Sequence, residues 1–330
     1  MEEKLSRGAQ IVVRDWVRLK PWQSLLIVTS NNYMREAMAI KNAALKRTLR
    51  VDMLIVDDVG KDVGIYFDEN EVAFDGYSAI IAATEYSLVT TLAAKRVIGQ
   101  GKKFLSLPLS TSDGISMLEY DFLTMDTKKS KLMANIIMDY LIECSTIRVE
   151  TKAGTNLTMS KKGRKPGFYN GVCRDGKGFS SASIELYVPI IEDSAEGTMI
   201  VDCSLGYLGK CNEPIKLILR EGKITEIQNN PCGEKLREYI ESYEDDGLYM
   251  ASEFGIGLNT IAKCRGRCYI EDESAYGTFH MGFGRNLALG GQLEANGHYD
   301  LVATAPDIFV DNRQIMSDGV IIIPEPVFIG

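Results

Sequence analysis

Histidine is almost missing from this chain: 330 residues contain two, His280 and His298. Any chemistry that needs an imidazole must use one of them. No run approaches the ~20 consecutive apolar residues of a membrane-spanning helix. The amino-terminal stretch MEEKLSRGAQIVVRDWVRLK holds no apolar segment long enough for a signal peptide. A cytoplasmic protein without a membrane partner is therefore expected. Positive charge is also in short supply, with 37 Lys and Arg against 45 Asp and Glu, a net charge of −8. That balance argues against nucleic acid or an anionic membrane as a partner. No Gly-x-Gly-x-x-Gly and no Walker lysine loop follows the first apolar run, which leaves no nucleotide-binding fingerprint. A helical H-E-x-x-H pair is absent too. The seven cysteines are odd in number and scattered, and Cys264 and Cys268 form C-x3-C rather than the C-x2-C of common zinc sites. They read as reduced, ordinary thiols.

What is present is enough for a large core. The apolar fraction of 45% is that of a globular protein, and a chain of this length buries roughly 75% of its unfolded surface. The first part alternates short apolar runs with helical spacing: SLLIVTS (24–30), a helix over 32–49, VDMLIVDD (51–58), YSAIIAAT (77–84), a helix over 87–101 and KKFLSLP (102–108). This order predicts a mainly parallel sheet with covering helices. A helix is expected over 128–144. Beyond it the texture changes to strict alternation in IRVETKAGTNLTMS and a hairpin in IKLILREGKITEIQ that turns at Glu221-Gly222. The boundary falls near 145: an α/β domain over 1–145, then an α+β domain over 146–330.

Four features of the second domain carry chemistry. In NGHYDLVAT, His298 and Asp300 sit two residues apart on a strand and so project to one side, with Tyr299 on the other. In DESAYGTFHMGFG, His280 follows a strand start flanked by glycines that leave room for a ligand. Glu253 in YMASEFGIGLN and Glu185 in ASIELYVP each lie inside an apolar run. A carboxylate buried there unpaired costs several kcal/mol, and a cation is the economical remedy. His280, His298 and Asp300 give the ligand count of a 2-His-1-carboxylate iron site, which also suits zinc or manganese.

In this order, the motifs resemble the aminopeptidase T family of metallopeptidases and its relatives, the 2,5-dihydroxypyridine dioxygenases. The run SIELYVPIIEDSAEG resembles that group's carboxylate strand, SEFGIGLN its second glutamate strand, DESAYGTFH its first histidine motif, and HYD its final H-x-D. The resemblance implies a metal set of Glu185, Glu253, His280, His298 and Asp300, and a homodimer acting on a peptide or small molecule. For the peptidase it implies two divalent ions (zinc, cobalt or manganese) and a metal-activated water that cleaves an N-terminal peptide bond. Glu253 would then be the proton shuttle and Arg285 the anchor for a substrate carboxylate or oxyanion. For the dioxygenase it implies one Fe(II) and a hydroxylated ring. A non-catalytic binding module is the third expectation. The segment GRNLALGG after His280 lacks the tyrosine that the peptidases carry there. The hydrolase is the leading expectation on the ligand set.

Overall fold

The computed structural model describes residues 2–173 and 178–322, so the last part of the expected second domain, 323–330, lies outside the described residues. The chain forms two compact units, Met1–Thr127 with Tyr169–Ile184, and Lys128–Phe168 with Glu185–Gly330. The first unit holds four parallel strands, β1 (Leu25–Ser30), β2 (Val51–Val56), β3 (Ala79–Ala82) and β4 (Lys103–Ser106). Its helices are α1 (Glu2–Gln10), α2 (Met34–Leu45), α3 (Val63–Glu69) and α4 (Leu92–Gly99). β1, β3 and β4 are buried along their whole length, which is why β1 and β3 read as largely apolar runs rather than alternating ones. Leu26, Val28, Phe67, Phe74, Ile80 and Phe104 fill the core between sheet and helices. α4 starts later than the spacing suggests, because Thr91 caps it by accepting from the backbone N–H of Ala94.

After α5 (Thr127–Glu143) the chain forms β5 (Thr146–Thr151), β6 (Asn156–Ser160) and β7 (Gly167–Asn170). It then gives the first unit a fifth parallel strand, β8 (Phe179–Ser181), beside β4. The second unit continues with β9 (Ile184–Pro189), β10 (Glu196–Val201), β11 (Ile215–Arg220) and β12 (Lys223–Ile227). Helix α6 (Pro231–Glu241), β13 (Ala251–Gly257), helix α7 (Tyr269–Ser274), β14 (Thr278–Gly284) and β15 (His298–Thr304) follow. The described chain closes with β16 (Pro306–Val310), β17 (Arg313–Ser317) and β18 (Val320–Ile321). Two sheets result, of strand order β12-β11-β10-β6-β5-β16-β17-β18 and β15-β14-β13-β9-β7. The pairs β9–β13, β13–β14 and β14–β15 are all antiparallel. A mainly parallel α/β part followed by an antiparallel α+β part is the fold class expected from the sequence.

The expectation of uniformly reduced thiols needs correction. Cys203 and Cys264, 61 residues apart, are joined with a Cα–Cα distance of 6.2 Å, within the range a disulfide spans. Cys144, Cys173, Cys211, Cys232 and Cys268 are free and buried. Sequence spacing cannot reveal such a pair, because two loops bring it together. No described helix is long and apolar enough to cross a membrane.

Candidate metal centre

Register decides what the second unit's smaller sheet presents. Glu253 lies opposite Gly282, and Gly282 opposite Asp300. Gly255 lies opposite His280 on one side, Gly257 opposite Glu185 on the other, and Gly284 opposite His298. Directly paired residues of antiparallel strands share a face, and so do residues two apart. All five residues therefore project from one face of four adjacent strands. Tyr299 points to the opposite face, where its ring stacks on Phe283 at 5.5 Å and its hydroxyl donates to the Leu248 carbonyl at 2.9 Å.

The glycines of this face are its floor. A Cβ on Gly255 would sit 1.9 Å from His280 Nε2. One on Gly282 would sit 2.8 Å from both Asp300 Oδ1 and Glu253 Cβ, and 2.9 Å from His298 Cε1. Only hydrogen leaves space for the side chains that converge above.

These side chains fall into two groups. Nε2 of His298 lies 3.2 Å from Glu253 Oε2 and 3.4 Å from Asp300 Oδ1. One ligand atom each from Glu253, His298 and Asp300 lies within 4.8 Å of the others. Beside them, His280 Nε2 lies 3.2 Å from Glu185 Oε2. Glu185 and Glu253 are 4% exposed, Asp300 3% and His280 1%.

A divalent cation fits the first group. Asp300 Oδ1 is buried without a hydrogen-bond partner. The Nδ1–H of His298 donates to the Arg285 carbonyl at 3.0 Å, which leaves Nε2 as the lone-pair nitrogen facing the two carboxylates. Metal-bound histidines are held by their far nitrogen in this way. Arg285 meets His298 through its backbone oxygen.

The charge of the cluster is lopsided without an ion. Burial raises the carboxyl of Asp300, but the charges of His298 and His280 and its hydrogen bonds outweigh that and bring it to about 2. Burial lowers His298, yet Asp300 and Glu253 overcome it and hold the imidazole well above its usual range. In the absence of a cation the histidine proton does the cation's work.

Two residues that the sequence did not single out complete the site, both on α7. Glu273 is raised well above the usual carboxylate range, first by burial and then by the charges of Glu185, Asp300 and Glu253. A fourth carboxylate among three others is a strong sign that positive charge belongs here. Tyr269 donates its hydroxyl to Asp300 Oδ2. Burial, reinforced by the charges of Asp300 and Glu273, pushes that hydroxyl far up, so it remains a donor. The run YIEDES carried a visible signal in its adjacent acids, but it reads as a solvated helix start until its complete burial is seen.

Residues 83–323 match the family model of 2,5-dihydroxypyridine 5,6-dioxygenase (NicX). The curated 2,5-dihydroxypyridine 5,6-dioxygenase of Pseudomonas putida is 28% identical over 216 residues, a match spanning 61% of this chain and 60% of the relative's length. The solved 2,5-dihydroxypyridine dioxygenase of Pseudomonas putida superposes with a TM-score of 0.80 at 21% identity, covering 97% of each chain. AmpT of Thermus thermophilus superposes with a TM-score of 0.68 at 12% identity, covering 98% of this chain and 100% of that one. At these identities both superpositions speak for the fold. The family match takes in every residue of the centre, from Glu185 to Asp300, and on it the chain belongs to the 2,5-dihydroxypyridine 5,6-dioxygenase (NicX) family.

Proposed function

We propose that this protein is a ring-cleaving dioxygenase for a small hydroxylated aromatic or pyridine ring, using one ferrous ion held by Glu253, His298 and Asp300. The observation that carries the proposal is the convergence of those three ligand atoms on a glycine floor. The family match favours it over the aminopeptidase expected from the ligand set, since the likeness to AmpT at 12% identity is one of fold. A ferrous ion supplies electrons and exchangeable coordination positions for dioxygen. The remaining work falls to the protein. Glu253 and Asp300 would balance the ion's charge, and the Arg285 carbonyl fixes the orientation of His298. Glu185 and His280, 3.2 Å apart, would take the proton of a ring hydroxyl. The net change is the breaking of one ring bond with both atoms of one O2 entering the product.

A second proposal, a two-ion hydrolase, is favoured by one observation: Glu185, His280 and Glu273 add three potential ligands next to the first three. Anaerobic purification followed by metal analysis separates the two. One iron per chain, with oxygen uptake on hydroxypyridines, supports the dioxygenase. Two zinc, cobalt or manganese ions, with cleavage of aminoacyl-anilides, support the hydrolase. A cytoplasmic location and a homodimer belong to the same proposal, and light scattering of the purified protein tests the dimer.

A further inference from the structure

Asp300 is held unevenly. Its Oδ2 accepts the hydroxyl of Tyr269, while its Oδ1, buried and without a hydrogen bond, faces His298 Nε2 at 3.4 Å. The tyrosine has little freedom to let go. Its ring stacks on Tyr207 with centroids 4.3 Å apart and an interplanar angle of 24°. The turn carrying Tyr207 is pressed on the same strand: a Cβ on Gly206, which has φ +61°, would sit 2.6 Å from the Asp300 carbonyl oxygen. That turn is tied to β15 where Val302 donates to the Ser204 carbonyl at 2.9 Å. The Cys203–Cys264 link joins it to the loop that leads into α7, and Asp272 holds that loop by accepting from Arg265 and Gly266 at 2.8 and 3.0 Å.

We infer that Tyr269 is a positioning residue that occupies one oxygen of Asp300, so that this carboxylate offers a bound cation one ligand atom instead of two. A carboxylate free to bind through both oxygens would take a coordination position that substrate or dioxygen needs. That consequence for catalysis rests on the proposed dioxygenase function; the ligand geometry does not.

The test uses Co(II), whose visible absorption weakens as coordination number rises. The full-length protein and its Tyr269→Phe variant, which keeps the ring stack and loses the hydroxyl alone, are titrated with Co(II) under argon. The variant is expected to bind about 10- to 100-fold more weakly and to show weaker visible bands per bound ion. Tyr207→Leu, which leaves the hydroxyl and removes its support, should shift both readouts in the same direction by less. Far-UV circular dichroism checks that each variant is folded, and if Tyr269→Phe is not, Tyr207→Leu decides. Affinity and spectrum identical to the parent's would overturn the inference. A parent that binds Co(II) as described, yet whose ferrous form consumes no oxygen with any hydroxypyridine, would sink the proposed function and leave the role of Tyr269 standing.

Discussion

His298 is the residue on which the centre turns, because it touches both carboxylates of the group and is itself aimed by the Arg285 carbonyl. His298→Ala should purify with metal content near zero by elemental analysis and with activity lost. Glu253→Gln should lose metal and activity together, as a ligand does; loss of rate with full metal content would make it a proton carrier instead. The imidazole must shed its proton before it can bind a cation. Its folded pKa is raised, so at neutral pH metal and proton compete, and metal affinity should climb as pH rises from 6 to 8, by up to about tenfold per pH unit. Titration calorimetry in buffers of different ionisation enthalpy would register the released proton; an affinity flat across that range would count against it.

Strands explain why much of the centre was legible in the sequence. An ionisable residue inside a wholly apolar strand stands out, and period-two spacing puts His298 and Asp300 on one face, as β15 does. Glu185 and Glu253 were visible for the same reason, on β9 and β13. Which of the five draw together was not visible, since that depends on register between strands far apart in the chain. Helix α7 stayed hidden because adjacent acids over six residues carry no mark of burial, though Glu271, Asp272 and Glu273 are 3, 0 and 4% exposed.

The floor and the α7 loop each yield a test at this scale. Gly282→Ala puts a methyl 2.8 Å from Asp300 Oδ1 and should weaken metal binding at least about tenfold, as a misplaced ligand shell does. Metal titration at parent affinity would show that the floor has slack. Asp272, a loop anchor, is raised by burial to about 6, although the N–H groups of Arg265 and Gly266 pull the other way. A carboxyl raised above its unfolded value of about 3.9 keeps its proton longer in the folded chain, so its contribution to stability falls as pH rises from about 4 to about 6 and then levels. The loss amounts to about 3 kcal/mol at most. Urea unfolding of the metal-free protein and of Asp272→Asn should therefore differ increasingly between those pH values, in favour of Asn; a gap that does not change with pH would contradict this.

At the scale of the molecule, the parallel strands β1 to β4 precede α5 and the antiparallel strands follow it, as the sequence texture suggests, but β8, beyond α5, returns to the first unit's sheet. The Cys203–Cys264 link does not, since its partners lie 61 residues apart. Chemistry concentrates in the second unit, where Glu185, Glu253, Glu273 and Asp300 set four buried carboxylates against the two histidines of the chain. That imbalance suits at least one divalent cation, which the proposed function takes to be ferrous iron. The most direct measurement is oxygen uptake by protein purified anaerobically and loaded with Fe(II), given 2,5-dihydroxypyridine and related hydroxylated rings. One O2 consumed per ring cleaved, with none consumed by His298→Ala, is the predicted result. No uptake with any such ring, together with amine release from aminoacyl-anilides by the zinc-, cobalt- or manganese-loaded protein, would contradict it.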